Sequence, residues 1–489
     1  MLRALPIALA SASSLMLPHS ASAQAITQGA FRMGADALWS QGFLGGGDRI
    51  AVVDEGFGGL DESIAAGELP PRDRMRTMSF DAAHGLGGRS LLTTDPTPHG
   101  TRMAEIIHDL APQAELVLVN YNTVDEFVRA TEWVADQGIP VASHSNSFLD
   151  GPFDGTGAAA RAVDGASDRG VLWINSAGNF AERHWAGGAD ATGTAIPVPR
   201  LPSGWLDLHL SWRDPGTRAS LTVELRDANG AWQPLATATP SGPVSVRVGP
   251  LQMGDGEYRL MVRRESGPDD ELEVFSQSAR FGAAAVASGS VATPADAHSA
   301  VAVGAVPWVG DLIAPYSSWG PTDDGRAKPE LVAPTYVTSN PAFPGTAGTS
   351  AATAHVAGAA LLLRRRRLNA GLDVTVSAMR DVLLRRTRDL GETGADPVFG
   401  HGLFRVDTAP PIVRMRFDAR RRLLAVRAAD NASLWSLVVR PAGRRATRTR
   451  RAYVRVRIPV RARSRRVVVA ATDMARNRTV RTITVPGGP

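Results

Sequence analysis

A chain of 489 residues, 44% apolar and 21% charged, is long enough for two or three domains that each bury a core. It holds no cysteine, which excludes disulfides, a thiol nucleophile and thiolate metal sites, and no run reaches the roughly 20 apolar residues of a membrane span. The net charge of +5 conceals a division: Pro411 to Pro489 carries 21 arginines against 3 aspartates, a local +18, which leaves −13 on the remainder.

At the N-terminus, Met1-Leu2-Arg3 precedes an apolar stretch from Ala4 to Leu17 and then Ser20-Ala21-Ser22-Ala23. A basic start, an apolar core and small residues at the cut predict a secretory signal over 1–23, cleaved after Ala23, and therefore a secreted, extracellular protein. A buried N-terminal helix is the alternative. From Asp48 to about Asn179, apolar runs such as Arg49-Ile50-Ala51-Val52-Val53, Glu115-Leu116-Val117-Leu118-Val119, Pro140-Val141-Ala142-Ser143 and Val171-Leu172-Trp173-Ile174 predict buried parallel strands. Helical patterns lie between them; one opens on a Thr123/Glu126 capping box and ends at Gly138. This alternation predicts an α/β fold with a doubly wound parallel sheet.

The rhythm changes after Asn179. Leu206 to Trp212, Leu221 to Leu225, Val244 to Val248 and Tyr258 to Val262 alternate between Asp-Pro-Gly, Asn-Gly and Gly-Asp-Gly turns, which predicts an inserted antiparallel β module over 181–285. Parallel patterning resumes at Ala300 to Gly304, and the core domain, 24–408, closes near Val406. From 409 to 489 alternation returns, as in Leu423 to Arg427 and Val467 to Ala471. Together with the turn Thr472 to Arg478, which is like those of bacterial immunoglobulin-like modules, it predicts an Arg-rich β-sandwich-like domain. Its charge has two readings: a solvated face, or a surface for polyanions such as an anionic cell-surface polymer, lipid headgroups or nucleic acid. No nucleic-acid-binding motif accompanies it.

The chemistry concentrates in Gly345-Thr346-Ala347-Gly348-Thr349-Ser350-Ala351-Ala352-Thr353-Ala354-His355-Val356-Ala357-Gly358, one hydroxyl at a glycine-rich turn that opens into an apolar helix. Ser350 is a candidate nucleophile, and a hydroxyl needs a base at neutral pH. His99, in Pro98-His99-Gly100-Thr101, is the candidate base, with a glycine that lets neighbouring chain and substrate come close. An imidazole in that role needs a carboxylate to hold its tautomer. Asp54 fits, at the carboxyl end of the Ile50–Val53 run, where open α/β sheets place their sites. Each alone has a plainer reading: Asp54 as a helix cap or loop carboxylate, His99 as a surface imidazole, Ser350 as an N-cap. Their joint occurrence, each within its own motif, favours chemistry.

The Ser350 segment resembles the serine motif of the subtilisin-like (S8) serine peptidases. Pro98-His99-Gly100-Thr101 matches that family's His-Gly-Thr motif, Asp54-Glu55-Gly56 resembles its Asp-Thr/Ser-Gly, and Ser317 to Pro334 resembles the segment before its serine. The order Asp, His, Ser is the family's own, and the resemblance spans about Gly47 to Asn179 and Val286 to Val406. It implies a serine endopeptidase acting on proteins or peptides through an acyl-enzyme, with Asp54, His99 and Ser350 as triad. Asn175-Ser176-Ala177-Gly178-Asn179 looks like the family's Ala-Ala-Gly-Asn, so the Asn179 amide is expected in the oxyanion hole beside the Ser350 N–H; a turn residue is its plainer reading. The resemblance also implies that substrate lies extended between Ser147-Phe148-Leu149 and Ser176-Ala177-Gly178 as an added strand.

Three positions depart from the family pattern: Glu55 beside the aspartate, Ala351 for a common methionine and Ala354 for the usual proline. The resemblance implies calcium as a stabilising ion, yet no acidic loop has a spacing that marks a metal site. Only about 30 residues separate Ala23 from Asp54, so no separately folding propeptide is expected between them. The rival reading is a catalytically inactive binding or adhesion protein on a peptidase scaffold. An α/β-hydrolase esterase is disfavoured because no Gly-x-Ser-x-Gly elbow surrounds Ser350 and the order of the three residues is wrong for it.

Overall fold

A computed structural model describes residues 25–89, 95–199, 204–239, 245–342, 344–431, 433–459 and 465–487; the expected signal segment, 1–23, lies outside them. Nine strands form the central sheet, in the spatial order Met75–Ser79, Glu115–Asn120, Arg49–Asp54, Val141–His144, Leu172–Ser176, Val301–Pro307, Leu331–Thr335, Leu403–Phe404 and Thr387–Arg388. Neighbours run parallel except the last pair. Because successive side chains point to opposite faces, Ile50 and Val52 pack in one layer with Ile106, Leu110, Val356 and Leu361, while Ala51 and Val53 pack in the other with Phe127, Val134 and Val163. Helices His99–Leu110 and Thr349–Asn369 cover the first face, Val124–Asp136 and Ala158–Asp168 the second. Both faces being covered explains the near-continuous apolar runs of these strands. The doubly wound reading therefore holds.

The predicted capping box forms: Glu126 N–H donates to Thr123 Oγ1 at 3.2 Å, and Thr123 N–H donates to Glu126 Oε2 at 3.1 Å. On the opposite face, the His99–Leu110 and Thr349–Asn369 helices approach closely at Gly358, where an added Cβ would stand 2.9 Å from the Leu110 Cβ.

Between His184 and Ser276 eight antiparallel strands form two four-stranded sheets around Leu206, Leu208, Leu210, Leu221, Val223 and Leu260. Four of these strands lack a sequence signature. Thr194–Val198 and Trp232–Ala238 contain Pro197 and Pro234 and lie at sheet edges, where a missing N–H is tolerated. His184–Gly187 is only four residues long, and Leu272–Ser276 is buried throughout and so does not alternate.

A second pair of antiparallel sheets, with three and four strands between Ile412 and Val485, encloses Leu424, Val426, Leu437, Val439, Val467 and Val469. This sandwich is hydrogen-bonded to the core. Asn477 Nδ2 donates to Asp407 O at 3.1 Å, Asn431 Nδ2 to Asp407 Oδ1 at 2.8 Å, and Arg405 Nη1 to Asn477 Oδ1 at 2.6 Å. Among the described residues no helix is long and apolar enough to cross a membrane.

Candidate active site

Asp54 ends the Arg49–Asp54 strand and is fully buried; His99 opens the His99–Leu110 helix and keeps a third of its side chain exposed. His99 Nδ1 lies 2.9 Å from both Asp54 carboxylate oxygens. Gly100 makes this approach feasible, since a Cβ there would lie 2.7 Å from Gly56 O and 2.8 Å from the Asp54 Cβ. Burial pulls the His99 imidazolium down, but the Asp54 charge and hydrogen bond, joined by Glu55, outweigh it and leave His99 above its ordinary value. Glu55 is itself pushed up to about 7, first by burial and then by the Asp54 charge.

Ser350 is the second residue of the Thr349–Asn369 helix, behind Gly348 at φ 112°, a backbone conformation that favours glycine. The turn is clamped: Gly348 N–H donates to Tyr316 Oη at 2.9 Å, Thr335 Oγ1 donates to Gly348 O at 3.1 Å, and Tyr316 Oη and Thr335 Oγ1 are 2.9 Å apart. Ser350 Oγ donates to Ser145 O at 3.1 Å. Among the described residues this is its hydrogen bond, and none joins it to His99. Catalytic hydrogen bonds in ligand-free enzymes commonly close only with substrate.

Asn179 Oδ1 accepts from Thr349 N–H at 2.9 Å and from Thr349 Oγ1 at 3.2 Å, which orients its amide. A Cβ added to Gly348 would stand 3.5 Å from Asn179 Nδ2 and 3.6 Å from Ser350 Oγ, so the amide donor and the hydroxyl border the same small space. Ser350 N–H lies in the first helical turn, whose amides have no intrahelical acceptor.

Of the six residues expected to pair with substrate, five carry internal contacts. Phe148 N–H donates to Thr293 O at 2.8 Å, and Leu149 is buried against Phe153, Phe180 and Phe275. Ala177 N–H donates to Val303 O, its carbonyl accepts from Ala292, and the Gly178 carbonyl accepts from Ser318; Ser176 belongs to the central sheet. Much of the hydrogen-bonding edge at Phe148, Ala177 and Gly178 is therefore used internally. The part of the first segment that touches Ser350 lies two residues earlier, at Ser145; Ser147 is only half-buried.

Sequence reasoning also missed Tyr316, Thr335, Ser145 and Asn146. With its amide oriented to satisfy both ends, Asn146 donates to Ser145 O at 3.2 Å and accepts from Glu55 N–H at 3.0 Å, linking the two segments. Position before Phe148 was the available signal for Ser145 and Asn146; Tyr316 and Thr335 had none. Ala351 and Ala354 are fully buried in the helix. As for ions, Asp407, Asp430 and Asp473 each bring a carboxylate oxygen within 4.8 Å of the others where core and sandwich meet.

A buried carboxylate beside a histidine at the carboxyl end of a parallel sheet, and a serine at a helix N-terminus beside an asparagine amide, are carried by a subtilisin-like fold. Residues 272–402 match the model of the Subtilase family. Among solved structures the chain is similar to the CspB protease of Clostridium perfringens, with 16% identity, TM-score 0.58, and 77% of this chain and 95% of that one covered. A lanthipeptide protease aligns at 16% identity and TM-score 0.44 over 77% of this chain and 92% of that one. The resemblance to the subtilisin-like peptidases read from the sequence is thus matched in the fold.

Proposed function

We propose that this protein is a secreted serine endopeptidase. Ser350 Oγ attacks the scissile carbonyl carbon and its proton passes to His99 Nε2, while Asp54 holds Nδ1 and stabilises the imidazolium. The oxyanion that develops is met by Asn179 Nδ2 and Ser350 N–H, and one such side-chain donor is commonly worth about 3 kcal/mol. His99 returns the proton to the leaving amine, and water, deprotonated by His99, hydrolyses the acyl-enzyme. The observation that carries this reading is the 2.9 Å contact of His99 Nδ1 with both oxygens of the buried Asp54.

One observation favours the rival, an inactive binding scaffold: the Ser350 hydroxyl rests on Ser145 O. Fluorophosphonate labelling of the folded chain, with the modified peptide mapped by mass spectrometry beside a Ser350→Ala control, separates the two. Label on Ser350 alone supports the peptidase; a folded chain that takes no label supports the scaffold. Recovery of a chain beginning at Gln24 from the medium of the expressing cells supports export, and retention inside them counts against it.

A further inference from the structure

The three aspartates of the C-terminal domain lie away from most of its arginines. Asp430 and Asp473 lie at the joint with the core, and Asp418 faces Arg421. On the outer face of the four-stranded sheet Asp311 and Asp473 act on Arg476 without forming an ion pair with it, and among the described residues no aspartate of this domain pairs with the remaining arginines there. There, Arg440, Arg448, Arg476 and Arg478 wall a hollow of about 550 Å³ floored by Val438 and Val468. Arg440 and Val468 also line an adjoining hollow of about 480 Å³, which Arg444, Arg445 and Arg466 complete.

Among the described residues, no carboxylate lies within ion-pair distance of Arg440, Arg444, Arg445, Arg448, Arg466 or Arg478. By contrast, Arg213, Arg247, Arg259, Arg365 and Arg380 elsewhere in the chain each meet an acid. Arginine instead of lysine carries no weight here, since the whole chain has a single lysine, Lys328. Placement carries the argument. A concave, continuous line of unpaired guanidinium groups on an apolar floor fits a linear chain of regularly spaced anions, to which each planar fork can donate two parallel hydrogen bonds.

The aromatic ring bordering the hollow, Trp435, already lies under two guanidinium groups, Arg476 at 4.2 Å and Arg450 at 4.9 Å from its centroid. A ring so occupied is a poor platform for stacking nucleic-acid bases. We propose that this groove is a binding site for a linear acidic polysaccharide, gripped through its carboxylate, sulfate or phosphate groups. The site is independent of peptidase activity and holds whether or not Ser350 is reactive.

The test uses the full chain carrying Ser350→Ala, with binding to polygalacturonate, dextran sulfate, neutral dextran and a dT oligonucleotide measured at 150 mM salt, a chosen condition close to physiological ionic strength. The expected result is binding of one or both acidic polysaccharides, none of neutral dextran, and weaker binding of the oligonucleotide. Arg440→Ala/Arg448→Ala/Arg478→Ala should weaken the polysaccharide by about tenfold or more. The charge-matched Arg414→Ala/Arg416→Ala/Arg427→Ala, on the other sheet, should weaken it less than about twofold. All six arginines are exposed, so both variants should fold, which thermal melting checks. Equal losses in the two variants, no binding by the parent, or preference for the oligonucleotide would each overturn the proposal.

Discussion

His99 Nδ1 stands 2.9 Å from both oxygens of Asp54, a fully buried carboxylate. A contact shared between two oxygens holds the ring with Nδ1 protonated and leaves Nε2 free to take a proton. On the proposed mechanism, Asp54→Asn removes the charge but little volume and should lower kcat about 10⁴-fold, as in other triads of this kind. Steady-state kinetics on a peptide substrate checks it; a loss under about tenfold would argue against the role of Asp54.

Glu55 should shape the pH profile. Its negative charge helps raise His99, and His99 must be neutral to act as base. Glu55→Gln should therefore move the acid limb of kcat/KM to lower pH. Because Glu55 itself titrates at about 7, the shift should be largest above neutrality. An unmoved acid limb would show that Glu55 is electrostatically remote.

Gly100→Ala tests the close approach of helix and strand. The new methyl would meet Gly56 O, the Phe57 ring and the Asp54 Cβ below 3.0 Å, and such overpacking typically costs about 1–3 kcal/mol. Activity should fall further than stability, because the displaced element carries His99. Wild-type kcat with an unchanged melting temperature would contradict the crowding.

Tyr316→Phe should loosen the turn before Ser350. Without the hydroxyl, Gly348 N–H loses its acceptor and Thr335 a partner, and an unsatisfied buried donor costs about 1–3 kcal/mol. Denaturant unfolding should detect that loss, with kcat lowered more than KM is raised.

At the joint, burial first and then Asp407 push the Asp430 carboxyl up to about 6, and burial foremost pushes Asp473 up to about 7. For an acid raised in the folded state, the native protein binds more protons than the unfolded chain between the two pKa values, so stability falls as pH rises from about 4 through 7. Asp430→Asn should raise the melting temperature at pH 8 and change it little at pH 4, both measured with chelator present. A gain of equal size at both pH values would rule out this charge effect.

Local pattern was enough to read the doubly wound sheet, because strands buried on both faces must be apolar throughout and their helices amphipathic. The Thr123 cap was legible because a capping box is contiguous in the chain, and the alternating strands of both β-rich regions because a strand with one buried face alternates. So were Asp54, His99, Ser350 and Asn179 as candidates, since each sits in a short motif whose glycines and flanking elements are contiguous in the chain. Edge strands bearing Pro197 and Pro234 escaped because an edge tolerates residues that an inner strand excludes. Tyr316 and Thr335 escaped because their roles depend on Gly348, brought to them by the closing sheet. Which amides at Phe148 and Ala177 are already taken, and which arginines of the C-terminal domain meet no acid, are relations between segments far apart in sequence. Composition counts the charges, but only the fold decides which of them are neutralised, because Coulomb energy and hydrogen bonding depend on distance in space.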